Sequence, residues 1–401
     1  MKKTTITITV LITCLLLVQN ANAIHLIGSC TTISTSGVYN LRLNITNSTD
    51  ATCINITADN VVLDCKNNII DGVDSTSSSG IYINRNSQSN TNITIKNCVV
   101  TDWYYGIYLK KANNNLLLNN NAFHNMYGIH IMNSNNNTVS TNTVLNNAYG
   151  IRAYSSANDN SIINNTVNLN GEGIHLYSSS NNILSGNAVN SNKYQGIRME
   201  YSDNNNILNN TANSNNYEGL NNYGGIYLFH SDNNALSDNA VNSNNYHGIY
   251  LWYSDNTILS CNTANSNNNH GISSWYSSNN ILSSNTANSN NNYGIYLYSS
   301  NSNQLYNNYM NNTNNAYDSG NNFWNTTNST GPNIIGGPYI GGNYYSDYNF
   351  TDTDGDGFGD IPYNIPGGNS QDYLPIPEVP TIFLSMGLMF LSLVRIKRKI
   401  N

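Results

Sequence analysis

The sequence predicts an all-β fold, a right-handed parallel β-helix of about eleven to twelve coils, and three features of the repeat carry that prediction. A Gly-Ile pair recurs at Gly80, Gly106, Gly128, Gly150, Gly173, Gly196, Gly225, Gly248, Gly271 and Gly294, in steps of 22 or 23 residues apart from a 26 at the start and a 29 that holds an inserted loop. After each pair, apolar residues one and three places past the glycine alternate with polar or aromatic ones, as in Tyr293-Gly-Ile-Tyr-Leu-Tyr. That is the period of a half-buried strand and not of a helix. A second apolar pair follows, such as Ile183-Leu184 or Ile258-Leu259. Then comes an Asn before a small pair, the column Asn142, Asn165, Asn187, Asn210, Asn239, Asn262 and Asn285, with Asn308 in step. Self-similarity at this period means stacked coils.

The composition fits such a stack. Of 401 residues only 9% are charged and 39% hydrophobic, below the roughly 25% and 45–50% of ordinary domains, so a conventional globular core is excluded. The chain has 86 Asn and 30 Tyr; low charge with many aromatics argues against generic disorder. A net charge of −7 offers no basic footprint for nucleic acid. Each coil therefore buries a few Ile, Leu and Ala. The Asn column supplies the rest, each amide bonding its equivalent one rung away at ~4.8 Å. A ladder role is expected for that column alone. The rod would be on the order of 55 Å long.

Taken in order, residues 1–23 read as a signal peptide, with Lys2 and Lys3, an apolar run and the small exit Ala21-Asn22-Ala23. Residues 24–79 form an N-terminal cap and first coils. In an oxidising compartment Cys30 pairs with Cys53 and Cys65 with Cys98, leaving Cys261 as a buried thiol in the repeat core. Eleven Asn-x-Ser/Thr acceptors, Asn44 and Asn47 among them, agree with an extracellular location. Residues 80–330 are the repeats and 331–375 a C-terminal cap. Residues 376–401 end in an apolar run, Thr381 to Val394, followed by Arg395, Lys397, Arg398 and Lys399. This is a tail helix that serves as a membrane anchor or as a tail exchanged for a lipid.

Four groups of residues are candidates for chemistry. Asp352, Asp354, Asp356 and Asp360 stand at positions 1, 3, 5 and 9 of a loop with Gly357 at 6 and the Phe358 carbonyl at 7. Closely spaced carboxylates of this kind need a hard cation between them, and calcium is the expected one. Tyr363 holds position 12 where a bidentate Glu is usual, so Asp347 or another carboxylate would have to complete the shell. Four places after each glycine stand Tyr154, Tyr177, Glu200, Phe229, Trp252, Trp275 and Tyr298, with Tyr201, Tyr253 and Tyr276 beside them. Aromatics in line on a strand face suit a glycan or a surface-layer protein, although strands favour such residues anyway. Asp203, Asp232 and Asp255 share a place just past the strand. They are weak candidates for a carboxylate pair, since Asp also caps turns. His130 and His175 share an outward column with Arg152 between them, and His247 and His270 share another; these are expected as surface histidines, with a shared metal the lesser reading.

Two resemblances follow from these residues. The Gly-Ile-Tyr-Leu and Asn-Asn-x-Ile-Leu units, together with Asn333 to Asp347, Asp352 to Asp360 and Asp372-Tyr-Leu-Pro375, are similar to the NosD-type β-helix repeats of carbohydrate-binding and sugar-hydrolase proteins. Many such proteins lie on archaeal surfaces. The resemblance implies a glycan-related or copper-related role. The ending Pro377-Glu378-Val379, an apolar run and a basic cluster resembles a PEF-CTERM sorting signal, with Val379 where Phe is usual, and implies processing by an archaeosortase-like enzyme. The leading expectation is a non-catalytic binding rod; the alternative is a polysaccharide lyase or glycoside hydrolase.

Overall fold

A computed structural model describes residues 24–216 and 224–378. The signal segment, Val379 and the apolar tail lie outside them. Two parallel 13-stranded sheets run the length of the molecule, the first from Ile24–Ile27 to Gln304–Tyr306 and the second from Thr31–Ile33 to Asn314–Asp318. A third sheet is shorter, from Ile69–Asp71 to Thr166–Asn168. It continues as single-residue bridges through Ala188, Thr211, Ala240 and Thr263 to Thr286. Among the described residues the coils begin at Ile24. Thirteen strands at the usual parallel spacing make a rod of about 58 Å.

Within each coil the alternation places side chains as the pattern requires. Ile174 and Leu176, Ile226 and Leu228, and Ile249 and Leu251 point inward and are fully buried. Of the second apolar pairs, Ile183-Leu184 and Ile258-Leu259 turn only the Leu inward, with Leu184 and Leu259 buried and Ile183 and Ile258 exposed, whereas in Ile207-Leu208 it is the Ile that is buried. The repeating glycine is required by close approach. A Cβ at Gly150 would lie 2.5 Å from both the Gly173 carbonyl oxygen and Val167 Cγ1.

Three asparagine ladders line the interior, not one. From Asn120 through Asn142, Asn165, Asn187, Asn210, Asn239, Asn262, Asn285 and Asn308 to Asn343, every side-chain Nδ2 donates to the Oδ1 one coil on at 2.9–3.1 Å. Asn115, Asn137, Asn160, Asn182 and Asn205 form a second. Asn125, Asn147, Asn170, Asn192 and Asn215 form a third. Each Oδ1 also accepts the backbone N–H of its partner in the preceding coil, as Asn187 does from Asn165 at 3.0 Å. Most of these corner amides are therefore satisfied without water, the exceptions being Asn205 Nδ2 and Asn280 Nδ2, which are buried without an acceptor.

Disulfides join Cys30 to Cys53 and Cys65 to Cys98 in the first coils. Cys261, expected in the core, is exposed. It occupies a left-handed corner, φ 56°, whose side chain points away from the coil axis. At the far end Asn343 passes its ladder to Asp372. That carboxylate accepts Asn343 N at 2.7 Å, Asn343 Nδ2 at 3.1 Å and the Tyr345 hydroxyl at 3.1 Å. Glu378 accepts the Tyr344 hydroxyl at 3.1 Å, beside Pro377. Among the described residues no helix is long and apolar enough to cross a membrane.

Candidate functional site

The outward face of the second sheet concentrates the chemistry. Parallel pairing sets Met132, Tyr154, Tyr177, Glu200, Phe229, Trp252, Trp275 and Tyr298 side by side, one per coil. All except Glu200 and Met132 are aromatic, and the whole row is half-buried. Tyr154 and Tyr177 stack at 5.1 Å and 22°. Phe229 and Trp252 meet at 60° and Trp275 and Tyr298 at 39°, so the indoles break the stack within the row, while Trp252 lies near-parallel to Tyr250 and Tyr253 at 15° and 23°. A more exposed second row is a true parallel stack: Tyr201 on His230 at 5.5 Å, His230 on Tyr253 at 4.9 Å and Tyr253 on Tyr276 at 5.0 Å, all within 11°. Rings consumed by each other in this way present edges and hydroxyls to solvent, not faces.

In the middle of the face the aromatic rows give way to charge. Arg198 donates to Glu172 Oε1 and Glu200 Oε1, both at 2.6 Å. His175 Nε2 lies 3.3 Å from Glu200 Oε2, and its Nδ1 lies 3.1 Å from Glu172 Oε2, close enough for an ion pair but outside hydrogen-bond geometry. Burial raises the Glu172 and Glu200 carboxyls, but the His175 and Arg198 contacts outweigh it and hold both below the usual range. Burial lowers the Arg198 guanidinium, and the two carboxylates more than restore it. Beside the network, the Tyr149 phenol is raised by burial and by the Glu172 charge. Sequence reasoning treated Glu200 only as a gap in the aromatic row and missed Glu172 and Arg198. Their signal is that Glu172, His175, Arg198 and Glu200 fall within 29 residues on two adjacent repeats of a chain that is only 9% charged.

The histidines are not surface residues. His130, His175, His247 and His270 are all buried, because ring neighbours on adjacent coils cover a side chain that strand alternation points outward. Burial, with Arg152 and His175 nearby, pushes the His130 imidazole down to about 3; burial alone takes His270 to about 3. Burial and the neighbouring His270 lower His247 well below its ordinary value. His247 and His270 stack at 5.0 Å and 13°. Parallel imidazoles carry their lone pairs in parallel planes, which do not converge on one ion.

Asp203, Asp232 and Asp255 face the turns. Asp203 accepts Asp232 N, Asp232 accepts Asp255 N and Asp255 accepts Ser278 N, at 2.6–2.7 Å. The acidic loop brings ligand atoms of Asp352, Asp354 and Asp356 within 4.8 Å of one another, the one trio of metal-capable groups among the described residues. Asp352 accepts Gly355 N and Gly357 N at 2.7 and 2.8 Å, while Asp360 turns back to Thr353 N at 3.1 Å. Phe358 is buried and its N–H donates to Asp356. Asp347 is taken up by Asn315 at 2.6 Å and the Tyr363 hydroxyl at 3.0 Å, and does not join the trio.

Residues 218–350 match the family model described as Periplasmic copper-binding protein (NosD), and residues 79–225 match the one described as Right handed beta helix region. No curated protein sequence matches the chain. Among solved structures it is similar to the A-module of mannuronan C-5 epimerase AlgE6 from Azotobacter vinelandii, with 13% identity over 72% of this chain and 89% of that one and a TM-score of 0.55. It is also similar to the Dettilon tailspike protein, with 16% identity over 69% of this chain and 61% of that one and a TM-score of 0.53. A double mutant of the periplasmic alginate epimerase AlgG gives 20% identity, 71% and 77% coverage and a TM-score of 0.52. At these identities the likeness is one of fold: the chain is a right-handed parallel β-helix, and its residues 218–350 are similar to the NosD family.

Proposed function

We propose that the protein is an extracellular, envelope-associated β-helix that binds an extended glycan along its second sheet, without catalysing its cleavage. The observation that carries this is the register-aligned aromatic row from Tyr154 to Tyr298, interrupted only by Glu200, on a face where the Trp252 and Trp275 rings break the mutual stack. A row of this length matches a polymer better than a small molecule. The two disulfides suit an oxidising compartment. The epimerases of similar fold are named for mannuronan and alginate, which agrees with a polysaccharide ligand. A surface-layer protein is the other occupant, and the sorting signal at Pro377, Glu378 and Val379 belongs to the same proposal.

The test is retention on immobilised neutral and acidic polysaccharides. Trp252→Ala with Trp275→Ala is expected to lower affinity about tenfold or more, the loss of roughly 1.4 kcal/mol. Unchanged retention rejects the glycan reading.

One observation favours an enzyme, the Glu172, His175, Arg198 and Glu200 network. Both of its carboxyls are held ionised, so neither keeps the proton that a glycosidase acid must donate near neutral pH. Binding is the better-supported reading. Calcium at Asp352, Asp354 and Asp356 completes the proposal, as a structural clamp on the C-terminal cap. Calorimetry should show uptake by the folded protein and its loss in Asp354→Ala; no uptake by either removes the cation.

A further inference from the structure

We propose that Arg152 forms an acidic-sugar subsite on this face, receiving the carboxylate of a uronate residue while the rest of the glycan follows the aromatic row. The proposal rests on the glycan-binding reading and adds the class of sugar.

Arg152 is the one outward arginine on the sheet whose charge is not matched among the described residues. Its guanidinium carbon lies 4.4 Å from the ring centre of Tyr154, 5.1 Å from Tyr149 and 5.5 Å from Tyr127. Nη1 donates to the Tyr127 hydroxyl at 3.2 Å, and Nε is buried without an acceptor. Arg198, two coils away in the same column, shows the contrast: both of its terminal nitrogens are spent on Glu172 and Glu200. The residues flanking Arg152 in the column are His130 and His175, not carboxylates.

A partly buried guanidinium stays charged at any relevant pH. Three aromatic faces offset part of its desolvation, and its planar fork still lacks the bidentate acceptor it fits. A flat monoanionic carboxylate supplies that acceptor. A dianionic phosphate would meet about twice the repulsion that a monoanionic carboxylate meets from Glu172, which bounds the adjoining cleft.

There is room for such a ligand. Tyr149 is shared between the Arg152 cage and a cleft of about 560 Å³ bounded by Met126, Leu169, Glu172 and Tyr194. That volume lies within the range of small-ligand sites, roughly 300–1,000 Å³. A sugar ring in the cleft with its carboxylate turned toward Arg152 would join the row at Tyr154 and Tyr177.

Calorimetric titration of the full chain with a uronate oligosaccharide, and with the same oligosaccharide reduced to its neutral sugar, tests the subsite. The wild type is expected to prefer the acidic form by about tenfold or more. Arg152→Gln should bind both forms equally, Arg152→Lys should recover only part of the preference because an ammonium lacks the fork, and Trp252→Ala should weaken both forms together. Circular dichroism melts of each variant exclude misfolding. Equal affinity of the wild type for the two forms, or a preference that survives in Arg152→Gln, rejects the subsite and leaves the glycan reading standing. Binding of neither form rejects both. A sulfated oligosaccharide held more tightly than the uronate would also overturn the assignment to uronate.

Discussion

Asn164, Gly186, Asn209, Asp238, Cys261, Ser284 and Asn307 share one corner of successive coils, all with left-handed backbone at φ 52–65°. Asn, Asp and Gly tolerate that conformation better than other residues, so part of the asparagine content answers to backbone geometry and not to amide pairing. The same corner explains the exposed Cys261 thiol, which the sequence alone placed in the core because it lies within the repeats. Asp64 shows the opposite economy. Burial raises its carboxyl, but hydrogen bonds from Lys66 and Asn97 and the charge of Lys96 bring it down to about 2. A depressed carboxyl adds stability that is complete above its ordinary value of 3.8 and is lost as pH falls through about 2. Asp64→Asn should therefore lower the unfolding midpoint at pH 6, by the equivalent of about 1–2 kcal/mol. It should also flatten the decline between pH 4 and pH 2. Parallel acid limbs for the two proteins would contradict this.

An interior ladder is only as strong as its least satisfied rung. Asn187 donates to Asn210 Oδ1 at 2.9 Å and to the Ile162 carbonyl at 2.8 Å, and accepts from Asn165 N and Nδ2, both at 3.0 Å. Asn187→Ala leaves donors and an acceptor unpaired where water does not reach, at a cost of about 3–5 kcal/mol. Exposed Asn268→Ala should cost about 0.5 kcal/mol or less. Chemical denaturation of the two variants checks the difference. The ladder through Asn187 was legible because its Asn precedes a conspicuous small pair. The ladders through Asn137 and Asn147 were not, although they recur at the same interval, because each sits inside a run of neighbouring Asn whose corner and loop members look alike in one dimension.

Across the whole molecule, the return distance of the Gly-Ile pair was enough to specify parallel coils in register, since every inward position then falls over its equivalent. The candidate face was partly legible for the same reason: Tyr154, Tyr177, Phe229, Trp252, Trp275 and Tyr298 do form one row. Their ring tilts, the burial of His130 and His247 and the closure of Arg198 on Glu172 and Glu200 depend on side chains one or two coils away, which spacing alone does not orient. The stack also has a direction. Every amide in the ladder from Asn120 to Asn343 sends its N–H toward the C-terminal end and its oxygen toward the N-terminal end. Such aligned dipoles add, as the peptide units of a helix do. From the coil of Asn120 to its C-terminal end the rod is thus electrically polar through its side chains, and the positive pole closes on the carboxyl oxygen of Asp372.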